Sequence, residues 1–139
     1  MKQRIDCLSL PTDDLRRVIT FYRDGLGWPM EDIGEDADHI PLMLQGGSYL
    51  VFIQRPEFAS FTEIAKLETA PRGASGCILS YFAASRDEVD DILRRAAKAG
   101  ASVTPASERA WGYAGFFADP DSHLWEILWN ADFNKQEQG

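Results

Sequence analysis

The sequence predicts an α+β fold in a single domain, residues 1–139. Two tandem βαβββ modules form an eight-stranded curved mixed sheet around a cleft, with the helices outside. Three observations predict this. Similar strand and helix patterns recur at a spacing of roughly 70 residues. Each helical stripe is amphipathic and closed by glycine. Each strand set alone is too small to bury its own sheet, so the two must share one. Module 1 covers about 4–55, a linker about 56–75, module 2 about 76–130 and a polar tail 131–139.

The elements follow in order. Ile5 to Leu10 is apolar and opens module 1. Thr12 is placed to cap a helix, with Asp13 and Asp14 in the first turn, where negative charge complements the dipole. Leu15, Val18, Ile19 and Tyr22 recur at helical spacing, and Gly25 and Gly27 end the run with positive φ. His39 to Gln45, the Gly46-Gly47 turn and Tyr49 to Gln54 read as a hairpin. The linker holds Pro56, Pro71, Gly73 and Gly76, with a short helix expected over Thr62 to Leu67.

Module 2 repeats the plan. Cys77 to Phe82 reads as a strand. Ser85 and Glu88 form a capping box, Val89, Ile92, Leu93 and Ala96 a stripe, and Gly100 the stop. Strands are expected at Ala101 to Thr104, Tyr113 to Ala118 and Leu124 to Trp129. The last two flank Asp119-Pro120-Asp121-Ser122, where Pro presets φ and Asp bonds its own backbone.

Composition narrows the partners. With 22 acidic and 14 basic residues the net charge is −8, which repels phosphate backbones and anionic membranes. Arg16 with Arg17 and Arg94 with Arg95 read as solvated helix faces. No apolar run approaches the roughly 20 residues of a membrane span. Two cysteines make no disulfide framework, so a cytoplasmic location is expected.

Two segments carry a resemblance. Leu8-Ser9-Leu10-Pro11-Thr12-Asp13-Asp14-Leu15, leading to Phe21-Tyr22 and Gly25-Leu26-Gly27-Trp28, is one. Gly115 to Ile127, running through Asp119-Pro120-Asp121-Ser122-His123, is the other. Together they resemble the opening and closing parts of the glyoxalase/bleomycin-resistance/dioxygenase, or vicinal oxygen chelate, superfamily. The resemblance covers residues 4 to 130 and implies a homodimer with a small-molecule ligand. Its members include glyoxalase I, ring-cleaving dioxygenases, epimerases, thiol transferases and drug-sequestering proteins.

Metal-dependent members hold one divalent ion on four inward side chains. Those positions carry over to Cys7, Val51, Cys77 or Ile78, and Glu126. Only Glu126 is of the expected type. A softer set, Cys7 with Cys77 and Glu126, would suit Zn²⁺. Without a metal, Glu126 stands as a tentative catalytic base or a carboxylate that contacts ligand. No cofactor is therefore expected.

Further ligand-binding candidates flank these. Ser9 shares a strand face with Cys7. Trp111 and Tyr113 lie in or beside a glycine-containing loop that suits a ring, and Arg109 suits an anion. His123 reads as a turn residue and His39 as a strand residue that could face the cleft. No phosphate loop or nucleophile elbow occurs.

The leading reading is a metal-free binding protein for an aromatic or anionic small molecule. One alternative is a metal-dependent enzyme resembling glyoxalase I. Another is a metal-free lyase or isomerase with Glu126 as base, its pKa raised by desolvation.

Overall fold

The computed structural model describes residues 1–132. Among these the chain forms seven strands in two sheets, not one sheet of eight. Module 1 comprises β1 (Cys7–Thr12), a helix α1 (Leu15–Ile19), β2 (His39–Met43) and β3 (Tyr49–Gln54). The helix continues through Thr20–Gly25 with π winding. Then comes α2 (Arg55–Ile64). Module 2 comprises β4 (Ile78–Phe82), α3 (Arg86–Lys98), β5 (Ser102–Arg109), β6 (Gly112–Ala118) and β7 (Leu124–Trp129). The mixed α+β class is as expected.

The sheets have orders β1-β3-β2 and β4-β7-β6-β5. In each, the opening strand runs parallel to the closing strand of its module, and the other pairs are antiparallel. Among the described residues β1 and β4 each therefore lie at one end of a sheet. The missing eighth strand has a reason in the sequence. Between α1 and β2 lie Pro29, Gly34 and the acids Glu31, Asp32, Glu35, Asp36 and Asp38. Pro removes a ladder donor, and no period of two survives. Trp28, Met30, Ile33 and Ala37 pack on the core as an irregular segment instead.

Four local expectations shift. Asp14, not Thr12, caps α1, accepting from the N–H groups of Arg16 and Arg17. Gly27 has φ +83°, but Gly25 is needed for space: a Cβ there would stand 2.5 Å from the Ala99 side chain at the end of α3. The linker helix begins earlier than expected, directly after β3, with Pro56 in its first turn. β5 runs to Arg109, with a register shift between Thr104 and Ser107. The capping hydroxyl of Ser85 accepts from Glu88 N–H as expected.

One core joins the modules. The Tyr22 ring lies 5.0 Å from Phe52 on β3 and 6.3 Å from Trp125 on β7. The last turns of α1 thus touch both sheets instead of lying outside them. Leu10, Leu50 and Phe52 from the first sheet and Phe117 and Ile127 from the second are buried in the same cluster as Val89, Leu93 and Ala96 of α3. Truncating Phe52, which is fully buried, costs about 3–5 kcal/mol.

A buried polar lock fastens this contact. Asp119 and Asp121, in the β6–β7 turn, are 5 % and 4 % exposed. Tyr22 donates its hydroxyl to Asp119 Oδ2 at 2.6 Å. Thr12 donates to Asp121 Oδ2 at 2.6 Å. Asp121 Oδ1 also accepts from Asp13 N–H at 3.0 Å and from Arg17 Nη2 at 2.8 Å. Asp119 Oδ1 accepts the N–H groups of Asp121 and His123. His123 Nε2 meets the Pro11 carbonyl at 2.6 Å, and Arg72 from the linker donates to the Pro120 carbonyl. Among the described residues no helix is long and apolar enough to cross a membrane.

Burial, and then the neighbouring Asp119 charge, push the Tyr22 phenol well above its usual 10.0. A raised pKa in the folded state means that this group's stabilisation is complete below pH of about 10 and is lost as pH rises further. Tyr22→Phe is expected to cost about 1–3 kcal/mol at neutral pH, by stripping a buried acceptor of its donor. It should also make the alkaline loss of stability shallower. Urea unfolding at stepped pH checks both; equal alkaline slopes in the two proteins would contradict the assignment.

Candidate functional site

Strand alternation decides which side chains face away from the core. On β7, Trp125, Ile127 and Trp129 turn towards the helices, with Phe117 and Tyr113 opposite on β6. Glu126 turns to the other face. Its register partners are Ser80 on β4 and Phe116 on β6. Ile78 and Phe82 share this face and are largely exposed.

Glu126 is held at both oxygens. Ser80 donates its hydroxyl to Oε1 at 3.2 Å, and Trp111 donates its indole N–H to Oε2 at 3.1 Å. Trp111 sits with Ala110 at the tip between β5 and β6. That tip is tight: Gly112 has φ +140°, and a Cβ there would stand 2.5 Å from the Trp129 carbonyl. Asn130 also donates to the Trp111 carbonyl at 2.8 Å. The Arg109 guanidinium lies 5.8 Å from the Trp111 ring and 5.6 Å from the Phe116 ring. Its Nε is buried with no acceptor among the described residues.

The first sheet presents an analogous open face. Cys7 and Ser9 lie side by side, Sγ to Oγ 3.8 Å. Ser9 is in register with Val51, which faces Pro41 across the next pair. Ser9 stands to Val51 as Ser80 stands to Glu126. His39 joins this face opposite Ile53 and contacts Asp38 at 2.6 Å.

The structure thus brings Glu126, Trp111 and Arg109 together on one sheet, and Cys7, Ser9 and Val51 together on the other. Two candidates go elsewhere. Tyr113 points to the helix side, donating to Asp90 of α3 at 2.7 Å, because it shares the parity of Phe117 and not of Phe116. That hydrogen bond raises its phenol pKa. Cys77 precedes β4, so the open-face position beside Ser80 belongs to Ile78; Cys77 instead lines a crevice under the linker with Leu10 and Leu79. Ser80 was not among the expected residues. The match of Leu8-Ser9-Leu10 to Leu79-Ser80-Tyr81 was the signal that could have found it. Glu126 sits half-buried on an open face, not at the floor of an enclosed cleft.

A family model, Glyoxalase/Bleomycin resistance protein/Dioxygenase superfamily, matches residues 4–127. The chain belongs to this superfamily. A glyoxalase-related enzyme from Fulvimarina pelagi is similar over 93% of this chain and 89% of its own, at 26% identity and TM-score 0.78. A glyoxalase/bleomycin resistance protein/dioxygenase from Nocardioides aligns over 93% of this chain and 84% of its own, at 21% identity and TM-score 0.71. A family enzyme from Burkholderia phytofirmans aligns over 89% and 96%, at 18% identity and TM-score 0.72. These last two speak for the fold alone. No curated protein matches the chain significantly.

The superfamily's usual divalent metal can be tested against the donors present. Val51 and Ile78 cannot ligate a cation, and thiols suit hard cations poorly. Glu126 is the one oxygen donor of the expected type among the four positions. Among the described residues no group of three or more His, Cys, Asp or Glu is placed to hold a metal, so the Cys7, Cys77 and Glu126 zinc set is not assembled. The residues do not fit the ion.

An acid kept for packing and one kept for binding respond differently to removal of charge. Glu126→Gln should change stability by no more than about 0.5 kcal/mol, the range of surface substitutions. Asp121→Asn, which spoils one of three buried bonds, should cost about 1–3 kcal/mol. Denaturant midpoints of the two variants decide the matter; a Glu126→Gln loss as large as that of Asp121→Asn would make Glu126 structural.

Proposed function

We propose that this protein binds a small aromatic or anionic molecule without a divalent metal, in a site completed by a second copy of the chain. The observation that carries the reading is the pairing of Glu126 with Trp111 beside the Arg109 guanidinium on an open sheet face. Trp111 offers a flat apolar surface. The Arg109 guanidinium beside that ring offers donors to an anionic group, since guanidinium binds carboxylates in bidentate fashion. Glu126 orients Trp111 and supplies an acceptor for a ligand hydroxyl.

The strand order supports a second copy. Among the described residues β1 and β4 each lie at one end of their sheets. Ile78, Met43 and Tyr49 on the open faces are 57 %, 70 % and 40 % exposed. Exposed edges flanked by apolar side chains favour pairing with another chain. In a homodimer the Cys7, Ser9 and Val51 face of one copy covers the Glu126 face of the other, and the cleft arises between subunits. A catalytic role for Glu126 as base fits the same site. A metal-dependent reaction resembling that of glyoxalase I finds no support in the donor set.

Sedimentation at micromolar concentration should give twice the chain mass, and Ile78→Asp should shift it to the monomer. Benzoate and salicylate, followed by tryptophan fluorescence, should bind wild type and bind Trp111→Ala and Arg109→Ala about tenfold more weakly. Affinity unchanged by either substitution would remove the site. Elemental analysis of purified protein should show no stoichiometric divalent ion; an equimolar ion lost in Glu126→Ala would overturn the metal-free reading.

A further inference from the structure

The helix side of the second sheet carries a crevice that the reading above does not use. It has a volume of about 250 Å³ and lies across the sheet from Glu126. Trp28, Phe117 and Trp125 line its inner end, and Tyr81, Glu88 and Asp91 its outer end.

The inner end is an aromatic corner. Phe117 and Trp125 are stacked at 17° with centroids 6.0 Å apart. Trp28 meets Trp125 nearly at right angles, 83° and 5.8 Å. Trp28 and Trp125 are partly exposed at this end over the buried Phe117, and aromatic rings attract a cation through their quadrupoles. The outer end supplies matching charge. Glu88 and Asp91 stand one turn apart on α3, and both face the crevice. Glu88 accepts a hydrogen bond from the neutral Tyr81 hydroxyl at 2.6 Å, so this partner leaves its charge uncompensated. Asp91 is met by Arg94 at 2.9 Å. Arg95 also lines the space, its Nη2 lying beside Gly27 between Leu26 and Trp28.

We propose that this crevice binds a small organic cation, an ammonium or quaternary ammonium group carried on an apolar body. The body lies against Trp28, Phe117 and Trp125, and the charged head faces Glu88. The site is separate from the Glu126 face, and neither reading depends on the other.

The test titrates the full chain with benzyltrimethylammonium chloride, with 3-phenylpropionate as an anion of similar size at equal ionic strength. The indole N–H resonances of Trp28 and Trp125 report the crevice, and that of Trp111 reports the other face. Saturable shifts of the first two by the cation are expected. Glu88→Gln should weaken binding about tenfold. It keeps a carbonyl acceptor for Tyr81, so the fold is not at risk. Glu126→Gln should leave the affinity unchanged. No saturable shift, equal binding of the anion, or full affinity in Glu88→Gln would each overturn the proposal.

Discussion

The turn Asp119-Pro120-Asp121 is the hinge pin of this molecule. Its two carboxylates reach from module 2 into module 1 and take hydrogen bonds from Tyr22, Thr12, Asp13 and Arg17. Buried carboxylates are expensive unless saturated with donors, and these two are well supplied. Because the turn docks at the end of β1 and at the side of α1, it draws the end of α1 between the sheets. Their core faces then point inward together. The remaining faces, with Glu126 on one and Val51 on the other, are left looking outward. The placement of the candidate site is thus a consequence of a polar contact far from it along the chain.

Much of the fold could be read from local signals. Ser85, Gly100 and the Gly46-Gly47 turn act within a few residues, where backbone chemistry decides the outcome, and each appears where its chemistry requires. Strand parity puts Glu126 and Trp125 on opposite faces, as neighbours in one strand must be. What escaped was decided at long range. Thr12 has the chemistry of a cap, but Asp121 claims its hydroxyl, and Asp14 takes over the helix end. The count of eight strands assumed that the repeat was complete. The Pro29 to Asp38 stretch is instead held by contacts of Trp28, Met30 and Ile33 with the core, which no strand period signals. Tyr113 shares the parity of Phe117, which sends its hydroxyl to Asp90 on the helix side of the sheet and away from Glu126.

The two modules are alike in backbone and unlike in chemistry. Both opening strands present a serine to the outer face, and both closing strands present a partner in register with it. One partner is Val51 and the other Glu126. The polar candidates are therefore gathered on the second sheet, where Trp111, Phe116 and Arg109 add rings and a cation beside Glu126. The first sheet contributes a thiol, a hydroxyl and apolar surface, which suits it to cover and not to react. Such division of labour between duplicated halves is consistent with one fold hosting many activities.

Gly25 shows how small a feature governs the whole. A single methyl at this residue would collide with Ala99, where the ends of the two helices meet. Relief would come by prying the helices apart, and with them the sheets they carry. The angle at which each half meets the world, and so the fit of any mating surface, is calibrated by the absence of one carbon atom.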